Sequence, residues 1–183
     1  MKTRLLIFIA VLMLLGVTIL GASDSVTQNI IINVKDIAVL NVTVGSVTLE
    51  VNAPVKANAG DSPVVSTSVD GGYLRYTSIV ESGKTRKITA QLDTDVPTGL
   101  ALKLSVTAPS GGTGTLGSPA SDDDEITLSK DTAQDIITGI SSGWTGTETT
   151  SGAKLTYSLE ITDGSELNIT NPTITITFTL TEA

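Results

Sequence analysis

The sequence predicts an all-β fold: a two-sheet antiparallel β-sandwich of about eight or nine strands, placed after an N-terminal signal peptide. Three observations point there. Beyond residue 24, apolar residues recur at every second position, the period of a strand with one buried and one wet face. Each such run stops at Gly, Pro, Asn, Asp or Ser. No stretch carries a sustained helical period, and short strands at regular spacing of this kind are the pattern of an immunoglobulin-like sandwich.

Taken in order, the opening MKTRLLIFIAVLMLLGVTILGAS has Lys2 and Arg4 as a basic end, an apolar run from Leu5 to Leu20, and small residues at Gly21, Ala22 and Ser23. That is the layout of a secretory signal over residues 1–23, with cleavage expected near Ser23 or Asp24. An uncleaved anchor is the alternative, but the run is at the short end for spanning and Gly16 and Thr18 weaken it. No second apolar stretch follows. The expectation is one domain over 24–183, exported and free of the membrane.

Ile30, Ile32 and Val34 alternate in the first segment, and IAVLNV continues the β-branched run after Lys35-Asp36. Val47, Leu49 and Val51 mark a further strand, as do Leu74 with Tyr76, then Ile88, Ala90 and Leu92, then Leu100, Leu102, Leu104 and Val106. Ile126 with Leu128 makes a short one, and Leu155, Tyr157, Leu159 and Ile161 a long one. The clearest runs from Thr173 to Thr181, with Ile174, Ile176, Phe178 and Leu180 on one side and five threonines on the other. Asp131 to Ile140 suits either a helical turn or a strand. Turn signals stand at Asp70-Gly71-Gly72, Glu81-Ser82-Gly83 and Asp163-Gly164, and all six prolines fall between runs. Two long loops are expected, Ala108 to Glu125 and Ser141 to Gly152. The expected core contains Leu49, Leu102, Leu104, Tyr157, Leu159, Ile176 and Phe178.

Composition narrows the function. Of 183 residues, 11 are Lys or Arg and 19 are Asp or Glu, a net charge of −8 that becomes −10 without Lys2 and Arg4. With no basic stripe to displace counterions, nucleic acid is excluded as a partner. The absence of His and Cys removes Ser-His and Cys-His nucleophile pairs, thiol redox chemistry and the usual zinc ligands. Serine and lysine are abundant, so a Ser-Lys dyad is formally open, but neither an SxxK tetrad nor a GxSxG elbow is expected to supply a nucleophile. No catalytic residue, cofactor or metal site is expected.

The blocks LRYTSIV (Leu74 to Val80), TRKITAQL (Thr85 to Leu92), VPTGLALKL (Val96 to Leu104), IITGISSGWTG (Ile136 to Gly146), GAKLTYSLEI (Gly152 to Ile161) and the terminal TITITFTL resemble, in order and spacing, a group of small secreted β-sandwich proteins of bacteria. More distantly the layout is similar to pilin-like surface-filament subunits. The resemblance covers roughly Leu74 to Leu180, implies a structural role at the cell surface, and transfers no catalytic residue.

Several residues have both a functional and a plain reading. Asp122-Asp123-Asp124-Glu125 could offer calcium oxygen ligands, but neighbouring carboxylates diverge and repel, and a solvated turn is the plainer account. Asp93 and Asp95 share a side of a strand end, with nothing converging on them in sequence. Lys84, Arg86 and Lys87 could steer an anionic partner or merely balance an acidic surface. Asn41-Val42-Thr43 and Asn168-Ile169-Thr170 match the glycosylation sequon. Trp144 is the candidate surface contact: it could stack on a sugar or plug a neighbour's groove, or cover the open end of the fold. Ile30, Ile32 and Val34 are the candidate strand-donor residues, or else the first strand of their own sheet. The expected function is that of a non-enzymatic, secreted or cell-surface structural protein, a pilin-like or adhesive filament subunit that self-associates into a homopolymer, or joins other surface proteins, by β-strand addition. The alternative is an extracellular carbohydrate-binding module with a glycan as partner.

Overall fold

A computed structural model describes residues 25–54, 58–121 and 125–183. The signal peptide expected over 1–23 and the acids Asp122 to Asp124 lie outside the described residues. The chain divides into two units, Met1–Val34 and Lys35–Ala183. In the first, residues 25–34 form no strand or helix.

The second unit is all-β. Its described residues make eleven strands: β1 (Ile37–Val42), β2 (Val51–Asn52), β3 (Val64–Val65), β4 (Val69–Ile79), β5 (Arg86–Leu92), β6 (Leu100–Val106), β7 (Thr113–Pro119), β8 (Ile126–Thr127), β9 (Gln134–Trp144), β10 (Ala153–Ile161) and β11 (Ile176–Glu182). A single 3-10 turn, Gly164–Glu166, is capped by the Asp163 side chain. Nine strands form one large antiparallel sheet in the order β11-β5-β9-β4-β10-β6-β8, with β1 added on β4 and β7 added on β9; β2 and β3 form a small second sheet. No helix among the described residues is long and apolar enough to cross a membrane.

Alternation in sequence becomes alternation in burial. In β5, Arg86, Ile88, Ala90 and Leu92 are buried while Lys87, Thr89 and Gln91 are half-buried. In β11, Ile176, Phe178 and Leu180 are half-buried against the core and Thr177, Thr179 and Thr181 face solvent. One apolar cluster collects Leu74 and Tyr76 of β4, Leu102 and Leu104 of β6, Leu155 and Tyr157 of β10, and Ile136, Ile137 and Ile140 of β9. Of the expected core, Leu102, Leu104 and Tyr157 are buried, whereas Leu49, Leu159, Ile176 and Phe178 are only half-buried and pack on its margin. Among the described residues β11 is an edge strand, paired only to β5, so its inward side chains stay partly open.

Four expectations fail. Asp70-Gly71-Gly72 is not a turn but the start of β4. A Cβ on Gly71 would run into the Tyr157 ring, so the glycine lets backbone and ring pack together inside the strand. The Gly-rich stretch read as a loop holds β7, which pairs along β9 from Thr113 opposite Trp144 to Pro119 opposite Ile137. There Gly114, at φ 92°, brings its backbone so close to that of Ser142 and Gly143 that a side chain would clash. Finally, Val47 to Glu50 is not a strand, and Ser141 to Trp144, expected in a loop, is the end of β9.

Leu104 is fully buried and Thr177 is exposed on an edge strand. Leu104→Ala is expected to lower unfolding free energy by about 2–5 kcal/mol, and Thr177→Ala to change it by less than about 0.5 kcal/mol, both read from urea unfolding. The reverse order would mean that the strands are shifted by one residue.

Candidate functional site

Residues 25–34, SVTQNIIINV, contain no charged side chain. Ile30, Ile32 and Val34 are 77%, 82% and 79% exposed, with Ile31 and Val26 exposed as well. An uncharged apolar run left in water is unusual in a chain of net charge −8.

The body begins with a charged clasp. The Arg86 side chain, only 5% exposed, donates from Nη2 to both carboxylate oxygens of Asp36 at 2.6 and 2.8 Å. Its Nη1 donates to the carbonyl of Ile37 at 2.6 Å and, at 3.4 Å each, to Ser78 Oγ and the Ile79 carbonyl. The guanidinium thus ties the start of β1 to β5 and to the end of β4. The basic cluster expected at Lys84, Arg86 and Lys87 does not form a steering patch: strand alternation turns Arg86 inward, and Lys87 pairs with Asp135 at 2.9 Å.

Trp144 is the last residue of β9 and 47% exposed. Register places it opposite Thr77 of β4, which itself lies opposite Val39 of β1. Directly paired residues of antiparallel strands share a face. The tryptophan therefore stands on the outward side of the sheet, in one row with Val39, Thr77 and, across β7, Thr113.

Further along the same side of β4, Tyr73 and Arg75 are half-buried and line an open cleft of about 500 Å³ with Thr43, Asp70, Thr147 and Thr149. Arg75 donates from Nη2 to the carbonyls of Glu148 (2.6 Å) and Thr149 (3.4 Å) and from Nε to that of Ser151 (3.2 Å). A second, smaller cleft of about 330 Å³ holds Lys103, Glu125, Ser158 and Glu160, but those groups satisfy one another. Lys103 bonds Glu160 at 2.6 Å, which raises the lysine pKa, and Ser158 donates to Glu125 at 2.6 Å. Comparison with family models, with curated proteins and with solved structures finds no match.

Two short stretches match nucleophile motifs that sequence reasoning missed. Gly139-Ile140-Ser141-Ser142-Gly143 has the GxSxG pattern but lies within β9, with no helix after it, and the chain has no histidine to serve as base. Ser151-Gly152-Ala153-Lys154 has the SxxK spacing, which needs a helical turn to bring serine and lysine together. Here Lys154 lies in β10, 3.9 Å from Asp70. Among the acids, Glu125 is taken by Ser158, and Asp95 by Lys130 at 2.5 Å. No group of three or more His, Cys, Asp or Glu among the described residues could hold a metal ion. Asn41, in β1, and Asn168 are exposed.

Two tyrosines are inside. Burial pushes the Tyr157 phenol up to about 12 and raises that of Tyr76, whose hydroxyl donates to the Leu116 carbonyl at 2.5 Å. Tyr73 is left half-buried on the outward face of β4, the face on which Trp144 also stands.

Asp36→Asn should strip the buried Arg86 of its counter-charge and cost about 1–3 kcal/mol. Asp135→Asn, at the half-exposed Lys87 pair, should cost under about 1 kcal/mol; thermal unfolding of both variants checks the order. A pH dependence also follows. The Thr175 N–H, 2.8 Å from Asp93, holds that carboxyl below its ordinary value of 3.8, and the Ser165 hydroxyl and N–H do the same for Asp163. Because the folded pKa values are depressed, the unfolded chain takes up protons first. Their contribution is present above pH of about 4 and is lost as pH falls through the folded values. The urea midpoint should decline below that point, and Asp93→Asn should shrink the decline.

Proposed function

We propose that the mature chain is a non-enzymatic structural protein of the cell surface, a pilin-like or adhesive filament subunit that associates with further copies by β-strand addition. The observation that carries the reading is the first unit: a strand-length run with Ile30, Ile32 and Val34 in alternation, uncharged, exposed and in no strand of its own. Such a run gains both backbone hydrogen bonds and burial if another copy accepts it along a sheet edge. Edges are on offer. Among the described residues strand β11 pairs only with β5, and β1 only with β4. The open edge of β11 presents backbone N–H and C=O groups, and its half-buried Ile176, Phe178 and Leu180 alternate on the core side, a complement to a strand with the same period.

The reading includes the finer architecture and the address. The branch β11-β5-β9-β7 and the branch β1-β4-β10-β6-β8 would face each other as the two layers of an immunoglobulin-like sandwich over 24–183, sharing the one apolar cluster. Export would be directed by a leader over 1–23, released near Ser23 or Asp24. Exposed threonines along β11 and an acidic composition suit an extracellular surface.

Ile32→Asp is the decisive variant. Ile32 is 82% exposed, so the substitution should leave the thermal unfolding of the isolated subunit within about 2 °C of wild type. In a foreign core the new carboxylate would be desolvated, so polymers seen by electron microscopy of the wild type should disappear. Collapse of both stability and polymer would place Ile32 inside its own fold. Wild-type protein that stays monomeric at high concentration in the presence of polymer ends would remove the filament reading.

A further inference from the structure

We propose that the outward face of β4, from the cleft at Tyr73 and Arg75 to Trp144, binds a neutral oligosaccharide. The proposal does not depend on filament assembly. Sugar rings offer a flat array of C–H bonds on one face and hydroxyls that both donate and accept around the rim, so a site needs an aromatic surface together with donors and acceptors.

Strand alternation supplies the aromatics. Positions 73, 75 and 77 of β4 point outward while 74, 76 and 78 are buried, so Tyr73 and Arg75 share the face on which Trp144 stands opposite Thr77. Tyr73 and Thr77 are four residues apart, about 14 Å at the usual strand rise. The two aromatic groups therefore bracket a span suited to several consecutive rings rather than to a single small molecule.

The cleft supplies the polar groups. Three backbone carbonyls already hold the Arg75 guanidinium, so its plane is fixed before any ligand arrives and little side-chain freedom remains to be lost. Its Nη1 has no partner among the described residues, and no carboxylate pairs with it. Asp70 Oδ1 accepts from the Gly72 N–H at 2.8 Å, leaving Oδ2 with only a loose contact, Lys154 Nζ at 3.9 Å. A fixed donor and an open acceptor in one cleft match vicinal hydroxyls. The charges favour a neutral ligand: Asp70 lines the cleft together with Arg75, Lys154 is drawn to Asp70 at 3.9 Å, and the net charge of −8 disfavours a uronate or phosphate, while an apolar peptide would leave these charged groups without partners.

Trp144 is the only tryptophan, so its emission reports from this face. Full mature protein is titrated with maltohexaose, cellohexaose and chitohexaose, with an oligogalacturonate as the acidic comparison, and tested for retention on starch, cellulose and chitin. The expected result is a saturable change in emission with at least one neutral probe and retention on the matching polymer. Tyr73→Ala should weaken that binding by about 10-fold without altering the far-ultraviolet circular dichroism. Asp70→Asn should weaken it as well, and Thr177→Ala should leave it unchanged. No response to any neutral probe, response to the acidic oligomer alone, or binding by Tyr73→Ala and Asp70→Asn equal to wild type would each overturn the proposal.

Discussion

The two branches of the large sheet are joined by one short crossing of backbone, where Thr77 and Ser78 of β4 meet Trp144 and Gly143 of β9. Both strands are eleven residues long and exchange partners along their length. β4 pairs with β10 in its first half and with β1 in its second, and β9 takes β5 early and β7 from Ile137 to Trp144. Thr145 finishes the joint: its N–H donates to the Tyr76 carbonyl at 3.0 Å, and its hydroxyl accepts from the Tyr76 N–H at 3.1 Å, in a fully buried position. In a chain without cysteine this crossing does the work that a covalent staple does in smaller secreted domains. The core lies on its inner side, with Tyr76 pointing in and bonded to β7. Trp144 and Thr77 lie on its outer side, so the residues that unite the fold also set the geometry of its exposed face.

That dual role explains which features were legible in sequence. Wherever a strand has one buried face and one wet face, as in Leu100–Val106 and Ala153–Ile161, period two shows it directly. Period two does not reveal a strand whose glycines serve close backbone packing. β7 has the composition of a loop and is recognisable only through its pairing with β9, a long-range fact. Ile136 and Ile137 are adjacent and both fully buried, because the β5–β9 register slips beside them, and a strict alternation template misses such a pair. Side-chain destinations were legible to the same degree. The run Lys84, Arg86 and Lys87 is compact in sequence, yet alternation turns Arg86 inward, where its guanidinium is buried beneath Asp36, and leaves Lys87 at the surface with Asp135. Tyr73 and Trp144 stand 71 positions apart and come to one face only through the crossing.

Charge shapes how such a molecule can meet another copy of itself. A net charge of −8 keeps copies apart, and free strand edges invite them together. The paired cations do little to soften the repulsion. Arg86, Lys87, Lys103 and Lys130 are each held by a carboxylate of the same chain, so few remain to meet the acids of a neighbour. A contact between two such surfaces would bring like charges together at a cost that grows as salt is removed.

An uncharged segment escapes that cost. Residues 25–34 carry neither an acid nor a base, and the alternate threonines of β11 are equally neutral, so a strand laid along that edge would add hydrogen bonds and apolar burial without approaching an opposing carboxylate along most of its length. Charge reappears only at the ends of the stretch, with Glu182 closing β11, Asp24 preceding Ser25, and Lys35 and Asp36 following Val34. There Asp36 is already committed to Arg86. The clasp thus neutralises the first acid after the segment while fixing the start of β1, and both effects favour an apolar run that ends immediately before it. Association through this segment should therefore depend less on ionic strength than any contact between the acidic faces of the body.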